Sequence, residues 1–173
     1  MNLRKKIKYF DLKKINLLPA KLSINKIKKY LINGNYILEK NVEKFEKKFA
    51  EFNKVKYCVG VSSGHDALKI ALLSCGIEKN DKIIVPSQTF ISTWFAVSEV
   101  GAIPIPIDID LSDGLLDVSK LPKKPNNIKA LIAVNLYGNL CNYKYLKKYC
   151  KINKIILIED SSQSHGAYFL KNK

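Results

Sequence analysis

From residue 56 to residue 160, short apolar runs alternate with amphipathic stretches of helical length, and the connections between them are brief. Lys56–Val61, Asp81–Val85, Ile103–Ile109, Lys129–Val134 and Lys154–Ile158 read as strands. Pro104 and Pro106 mark Ile103–Ile109 as an edge or irregular strand, because proline gives no N–H to a ladder. Ser62–Leu73, about Phe90 to Val100, and Asn142–Ile152 read as helices, the first two stopped by Gly76 and Gly101. Residues 111–127 form a loop with a short extended or helical piece. This alternation predicts an α/β fold: a mostly parallel sheet with helices on both faces and right-handed crossovers. Ligands in such sheets sit at the carboxyl ends of the strands. That directs attention to residues 62–66, 86–92, 135–138 and 159–165.

The first 54 residues follow another pattern and form an N-terminal helical segment, with residues 55–173 as the α/β part. Residues 1–22 read as irregular, with Pro19 as a breaker. Ser23 caps a helix to about Ile32, and Gly34 ends it. Asn41 opens a second helix whose Val42, Phe45, Phe49 and Phe52 recur at helical spacing, a core-facing stripe.

The chain carries 30 Lys+Arg against 15 Asp+Glu, a formal net charge of +15. Arg4 is the only arginine. Nucleic-acid readers exploit the forked guanidinium, so the charge reads as a solvated lysine surface and no nucleic-acid partner is expected. No run reaches the roughly 18–20 apolar residues of a spanning helix, and no apolar stretch follows the basic start of the chain. Cys58, Cys75, Cys141 and Cys150 form neither a CxxC pair nor a disulfide-dense pattern. A cytoplasmic protein with reduced thiols and no membrane partner is expected.

Three segments can carry chemistry. Ser62-Ser63-Gly64-His65 is a small-residue turn between a strand and a helix, where free N–H groups and the positive helix end favour an anion such as phosphate. Taken alone, an ordinary helix cap also accounts for it. Phe90, in Pro86-Ser-Gln-Thr-Phe90, stands at a strand end and can stack on a planar ligand or simply pack in the core. Glu159 and Asp160 follow an apolar strand, and period-2 alternation sends them to opposite sides. One of the two can pair with a protonated ring nitrogen, and Gln163 can bond a ring hydroxyl; a helix-start cap is the plainer reading. The chain has no GxGxxG and no Walker motif, and its only histidines, His65 and His165, exclude a multi-histidine zinc site. No G-x-S-x-G elbow supports a serine triad. No metal is expected. A phosphate cradle, a stacking ring and a carboxylate for a heterocyclic nitrogen are the three handles of pyridoxal 5'-phosphate.

Four blocks, NYILEKNVEKFEKKFAEF, VGVSSGHDALKIALLSCGIEKNDKIIVPSQTFISTWFAVSEVGAIPIPIDID, LIAVNLYGN and IEDSSQSHGA, resemble the DegT/DnrJ/StrS family in the family's own order, from about residue 23 onward. The resemblance implies a pyridoxal-phosphate-dependent nucleotide-sugar aminotransferase. The fold would be the large domain of the aspartate-aminotransferase fold (fold type I), truncated, with residues 55–173 as its first part. The activity implied is amino transfer, commonly from glutamate, to a keto-sugar on a nucleoside diphosphate, in amino-sugar and cell-surface polysaccharide biosynthesis. A homodimer is implied for the intact enzyme. By resemblance, Gly64 and His65 hold the cofactor phosphate, Phe90 stacks on the ring, Asp160 pairs with the ring nitrogen, and Gln163 approaches the phenolic oxygen.

This sequence departs from the family pattern in three places. His65 stands where the family has Thr or Ser, leaving the backbone N–H as the remaining contact. Asn135 stands where the family often has His before LYG, and its amide is expected to hydrogen-bond near the ring. The family's Schiff-base lysine lies downstream of the IEDSSQSHGA block, beyond Lys173, and Lys171 and Lys173 fall too early to replace it. The chain is therefore expected to be the first half of a family member and inactive alone. The alternatives within the resemblance are a sugar dehydratase, in which that lysine is replaced, and a non-catalytic remnant of a truncated gene.

Overall fold

The computed structural model describes residues 11–34, 36, 37 and 40–168. Lys171 and Lys173 lie outside the described residues. The chain divides into two units, Met1–Val59 and Gly60–Lys173.

The first unit contains α1 (Leu12–Asn33) and α2 (Lys40–Asn53). The Asp11 side chain caps α1 by accepting from Lys14 N–H, and Gly34 closes it in the left-handed conformation at φ 72°. The helix thus begins eleven residues before the expected Ser23 start and runs through Pro19, correcting the irregular reading of residues 12–22. Pro19 gives up its own N–H bond and crowds the carbonyl one turn before it, but the 22-residue helix, capped at both ends, continues through it. No residue of α1 is buried, and Ala50 is the only buried residue of α2. The expected core stripe is not buried in this chain: Val42, Phe45 and Phe52 are exposed, and their neighbour Phe49 is half-buried. Phe49 instead stacks on Phe45, with ring centroids 5.5 Å apart, and lies 6.5 Å from Phe52.

The second unit holds α3 (Gly64–Ser74), β1 (Lys82–Pro86), α4 (Ser92–Glu99), β2 (Ile103–Ile107), β3 (Ile128–Val134), α5 (Tyr143–Asn153) and β4 (Ile156–Asp160). The four strands form one parallel sheet in the order β2-β1-β3-β4. Central β1 and β3 carry the run of fully buried residues Ile83, Ile84, Val85 and Ala130–Ala133. Such continuous apolar runs are what a strand covered on both faces requires. β2 is an edge strand as expected. Its odd-numbered isoleucines face β1, with Ile103 N–H donating to Asp81 O at 2.8 Å and Ile107 O accepting from Ser87 N–H at 2.8 Å. Pro104 and Pro106 fall on the open side, where no N–H is needed.

Residues 56–61 are a correction. They are not part of the sheet, and Tyr57, Val59 and Val61 are exposed. An apolar run becomes a strand only when a neighbour completes its ladder, and none of the four strands does so.

The topology defines the site. From β1 the chain crosses through α4 to β2 on one side, and from β3 it crosses through α5 to β4 on the other. Right-handed crossovers in opposite directions put α4 and α5 on opposite faces. The carboxyl ends of β1 and β3 therefore flank a topological switch point, where doubly wound sheets open a crevice.

Candidate functional site

A cavity of about 340 Å³ lies at that switch point. The turn before α3, the turn after β1, the end of β3 and the turn after β4 line it. Gly64, His65, Phe90, Asp160 and Gln163, the five residues singled out in the sequence, all face it.

Ser63 is the N-cap of α3, its hydroxyl accepting from Asp66 N–H at 3.1 Å. The next two N–H groups, of Gly64 and His65, have no acceptor within the helix and point from its positive end. A Cβ at position 64 would lie 3.5 Å from Ser162 Oγ, an ordinary van der Waals contact, so α3 and the turn after β4 come close together here. Asp66 turns back onto the cap, taking hydrogen bonds from Ser62 Oγ and from Ser63 Oγ. These bonds hold its carboxyl below the usual carboxylate range. Its charge is thus tied to the turn, while the free N–H groups remain for another anion.

The His65 imidazole is directed away from the cradle. Its Nε2 lies 3.2 Å from Glu99 Oε2, and its Nδ1 lies 3.4 Å from Ser92 O, both on α4. Lys69 Nζ meets the same Glu99 oxygen at 3.0 Å. Hydrogen bonds from Lys69 and then His65 keep the Glu99 carboxyl ionised to lower pH than usual. What position 65 offers the cavity is its backbone N–H.

Phe90 is 70% exposed, so it is not a core residue; its ring stands over the cavity ahead of α4. Beside it, Thr89 and Thr93 hydroxyls pair at 2.9 Å. Asp160 ends β4. Its Oδ1 accepts from Ser162 N–H at 3.1 Å and from Ser162 Oγ at 2.6 Å, which fixes the carboxylate's orientation. Gln163 Oε1 accepts from Tyr137 N–H at 2.7 Å. With its oxygen so engaged, Gln163 has its NH₂ donors for a ligand.

Asn135 departs from expectation. It is 1% exposed, and all of its amide is used within the protein. Nδ2 donates to Glu159 Oε1 at 2.9 Å and to Ser161 Oγ at 3.1 Å. Oδ1 accepts from Cys141 N–H at 3.0 Å and from Tyr143 Oη at 3.1 Å. Two donors and two acceptors are satisfied, so no part of the amide is free for a ring. Ser162 and Thr89 fall within the stretches marked by the sequence but without an assigned role, and Thr93 lies outside them. Asp160-Ser161-Ser162 is legible as a side-chain turn signal, and Thr89 adjoins Phe90, whereas nothing local marks Thr93 as a neighbour of the site.

The wall of N–H groups, the exposed ring and the oriented carboxylate match a phosphate, a planar ring and a cationic ring nitrogen, so the residues present fit pyridoxal phosphate. No lysine lines the cavity among the described residues. Nor do the described residues contain a group of three or more His, Cys, Asp or Glu arranged for a metal, or a helix long and apolar enough to cross a membrane.

A model of the DegT/DnrJ/EryC1/StrS aminotransferase family matches residues 20–173. Enzymes of this family are pyridoxal-phosphate-dependent. The dTDP-3-amino-3,6-dideoxy-alpha-D-galactopyranose transaminase of Aneurinibacillus thermoaerophilus is 35% identical over 164 residues, 94% of this chain and 45% of that protein. S. venezuelae DesV, solved in complex with a ketimine intermediate, superposes with a TM-score of 0.86 at 33% identity, over 93% of this chain and 44% of its own. The E. coli GDP-4-keto-6-deoxy-D-mannose-3-dehydratase with bound hydrated PLP superposes with a TM-score of 0.78 at 26% identity, over 97% and 43%. The fold is thus that of the fold-type-I sugar aminotransferases, and the chain spans less than half the length of these relatives.

Proposed function

This chain belongs to the DegT/DnrJ/EryC1/StrS aminotransferase family, and from that premise we propose that the intact protein is a cytoplasmic pyridoxal-phosphate-dependent aminotransferase. It moves an amino group from glutamate to a keto-sugar carried on a nucleoside diphosphate, in the biosynthesis of amino sugars for cell-surface polysaccharide. One observation carries the reading: five residues from three separated stretches of sequence converge on one cavity at the switch point. The helical segment 1–54 leads into the first part of the cofactor-binding domain, 55–173, and the intact protein works as a homodimer.

The bound cofactor supplies an electron sink for the carbon whose amino group is exchanged. The Gly64 and His65 N–H groups bind its phosphate at the start of α3. Phe90 covers one face of the ring and excludes water there. Asp160, oriented by Ser162, holds a proton on the ring nitrogen, and Gln163 donates to the ring's phenolic oxygen. The neighbouring dehydratase supports a second reading, dehydration of the sugar by the same scaffold.

The full-length protein tests this. Added to apo-protein, pyridoxal phosphate is expected to bind, and incubation with glutamate and nucleoside-diphosphate keto-sugars to yield an amino-sugar nucleotide. A deoxygenated, amine-free product supports the dehydratase, and absence of cofactor binding overturns both readings. Asp160→Asn is expected to cost more cofactor affinity than Phe90→Ala. Breaking a buried ion pair costs about 3–5 kcal/mol, whereas stacking contributes about 0.5–1.5 kcal/mol beyond area burial. The reverse order would displace Asp160 as the ring-nitrogen partner. The 173-residue polypeptide alone is expected to show no steady amino transfer.

A further inference from the structure

We propose that Asn135 is a positioning residue that keeps Glu159 bound on the far side of β4, so that Asp160 alone presents a carboxylate to the cavity. The inference rests on the cofactor reading above and concerns how the ring-nitrogen partner is set.

Two adjacent carboxylates end β4, and side-chain alternation sends them to opposite sides of the strand. Each is held by its own serine. Ser162 Oγ donates to Asp160 at 2.6 Å, and Ser161 Oγ donates to Glu159 Oε1 at 2.8 Å. Their second anchors differ: Asp160 accepts from Ser162 N–H within its own turn at 3.1 Å, whereas Glu159 accepts a cross-strand bond from the amide of Asn135 at 2.9 Å. Asn135 also holds the strand end itself, since its backbone N–H donates to Asp160 O at 3.0 Å. Its side-chain oxygen reaches the opposite way, to the segment that starts α5, through Cys141 N–H and Tyr143 Oη. One buried side chain therefore joins the ends of β3 and β4 to the start of α5. Without the side-chain bonds the backbone bond to Asp160 remains, but Glu159 keeps only its Ser161 anchor, and its flexible carboxylate is released from the far side of the strand.

The titratable groups around the joint are Glu159 and Asp160 on β4, and Cys141 and Tyr143 from the α5 side, with Asp113 from the loop before Leu115 acting on Cys141. Burial pushes the Cys141 thiol up to about 12, and also pushes the Tyr143 phenol up, so both stay protonated donors at neutral pH. Glu159 is thus the anion that faces Asn135 directly. An aspartate at position 135 would set a second carboxylate against it, at the present 2.9 Å spacing. Two carboxylates sharing a site cannot both ionise without repulsion, so the pair retains one proton at low pH and loses it as the pH rises.

The test is a pyridoxal-phosphate titration of the full-length apo-protein at about pH 5.5 and about pH 8.5, followed by cofactor absorbance, with thermal melting in parallel. Affinities are expressed as the ratio of variant to parent at each pH, which removes the titration of the cofactor phosphate. Asn135→Asp is expected to bind about tenfold or more weakly than the parent at the higher pH and to approach it at the lower. Asn135→Asp/Glu159→Gln restores one amide and one carboxylate with their places exchanged, and the carboxylate introduced at position 135 accepts from Cys141 and Tyr143 as the Asn135 oxygen did. That double variant is expected to return the ratio to within about threefold of the parent at both pH values. A purely architectural Asn135 would lower the melting temperature of Asn135→Asp without a pH-dependent loss of affinity, and the exchange would rescue nothing. Either outcome overturns the proposal. A parent that fails to bind the cofactor overturns the functional reading beneath it as well, whereas a parent that binds while the ratios stay flat overturns the positioning role alone.

Discussion

The amphipathic helices α2 and α5 are alike in character, yet the two units treat them in opposite ways. In the α/β unit, α5 buries Tyr143, Leu146, Tyr149 and Cys150, and the contiguous core runs from Leu68 to Ile155. In the helical unit, α1 buries nothing, and α2 buries Ala50 alone while Phe45 and Phe52 stay exposed. The difference lies in what each helix has to lean on. A sheet offers a continuous apolar face, and α5 is tied to it by a cap at one end and strand β4 at the other. The apolar residues of α2 stay exposed, and a contiguous exposed stripe marks a surface made for covering. Sequence periodicity is therefore evidence of the face a helix will bury, and says nothing about whether a partner is at hand.

Truncation of a core side chain tests the contrast most strongly. Leu131→Ala, at a fully buried position of β3, is expected to lower the unfolding free energy of the 173-residue chain by about 2–5 kcal/mol. Phe45→Ala, on the exposed stripe, is expected to cost under about 1 kcal/mol. Urea denaturation followed by circular dichroism measures both, and equal losses would erase the distinction between the units. A Phe45→Ala cost that grows in the full-length protein would sharpen it, by locating the surface that covers α2.

Helix caps give a smaller version of the same comparison. Asn142 caps α5 by accepting from Tyr145 N–H, and Asp11 caps α1 by accepting from Lys14 N–H. Asn142→Ala is expected to cost about 0.5–2 kcal/mol of global stability. Asp11→Ala is expected to lower helix content by far-ultraviolet circular dichroism while leaving the denaturation midpoint of the α/β unit unchanged. A midpoint shift of similar size in both variants would show that α1 folds cooperatively with the sheet.

The smallest effect belongs to surface charge. Lys120 Nζ lies 3.0 Å from Asp108 Oδ2, and that bond, with Ile109 N–H and Ser87 Oγ, holds the Asp108 carboxyl below its ordinary 3.8. A carboxyl depressed in the folded state contributes stability above the ordinary carboxylate value and loses it as the pH falls through the folded value. Melting temperature is therefore expected to drop as the pH falls below about 4, and less steeply in Lys120→Met. An unchanged acid slope would show that this pair contributes nothing.

Much of the α/β unit was legible in the sequence. The β1, β3 and β4 runs, the helix starts near Ser62 and Asn142 and the proline-marked edge strand all follow from residues within a few positions of one another. The convergence of Gly64, Phe90, Asp160 and Gln163 was legible too, because a parallel sheet brings every strand's carboxyl end to one side. Thr93 was not, since only the packing of α4 carries it to the cavity.

What the sequence by itself determined is therefore local and lies in the α/β unit: which stretches after residue 62 are helical or extended, about where they start and stop, and which end of the sheet holds the chemistry; the start of α1 at Leu12 was misread. Each of these depends on contacts a turn or a strand apart. The tertiary structure alone decided three things. Residues 56–61 stay outside the sheet, because a strand exists only with a neighbour. The α2 phenylalanines stay exposed, because burial needs a second surface. The Asn135 amide is spent on Glu159, Ser161, Cys141 and Tyr143, because those partners lie 6 to 26 residues away and only the fold brings them within hydrogen-bonding reach.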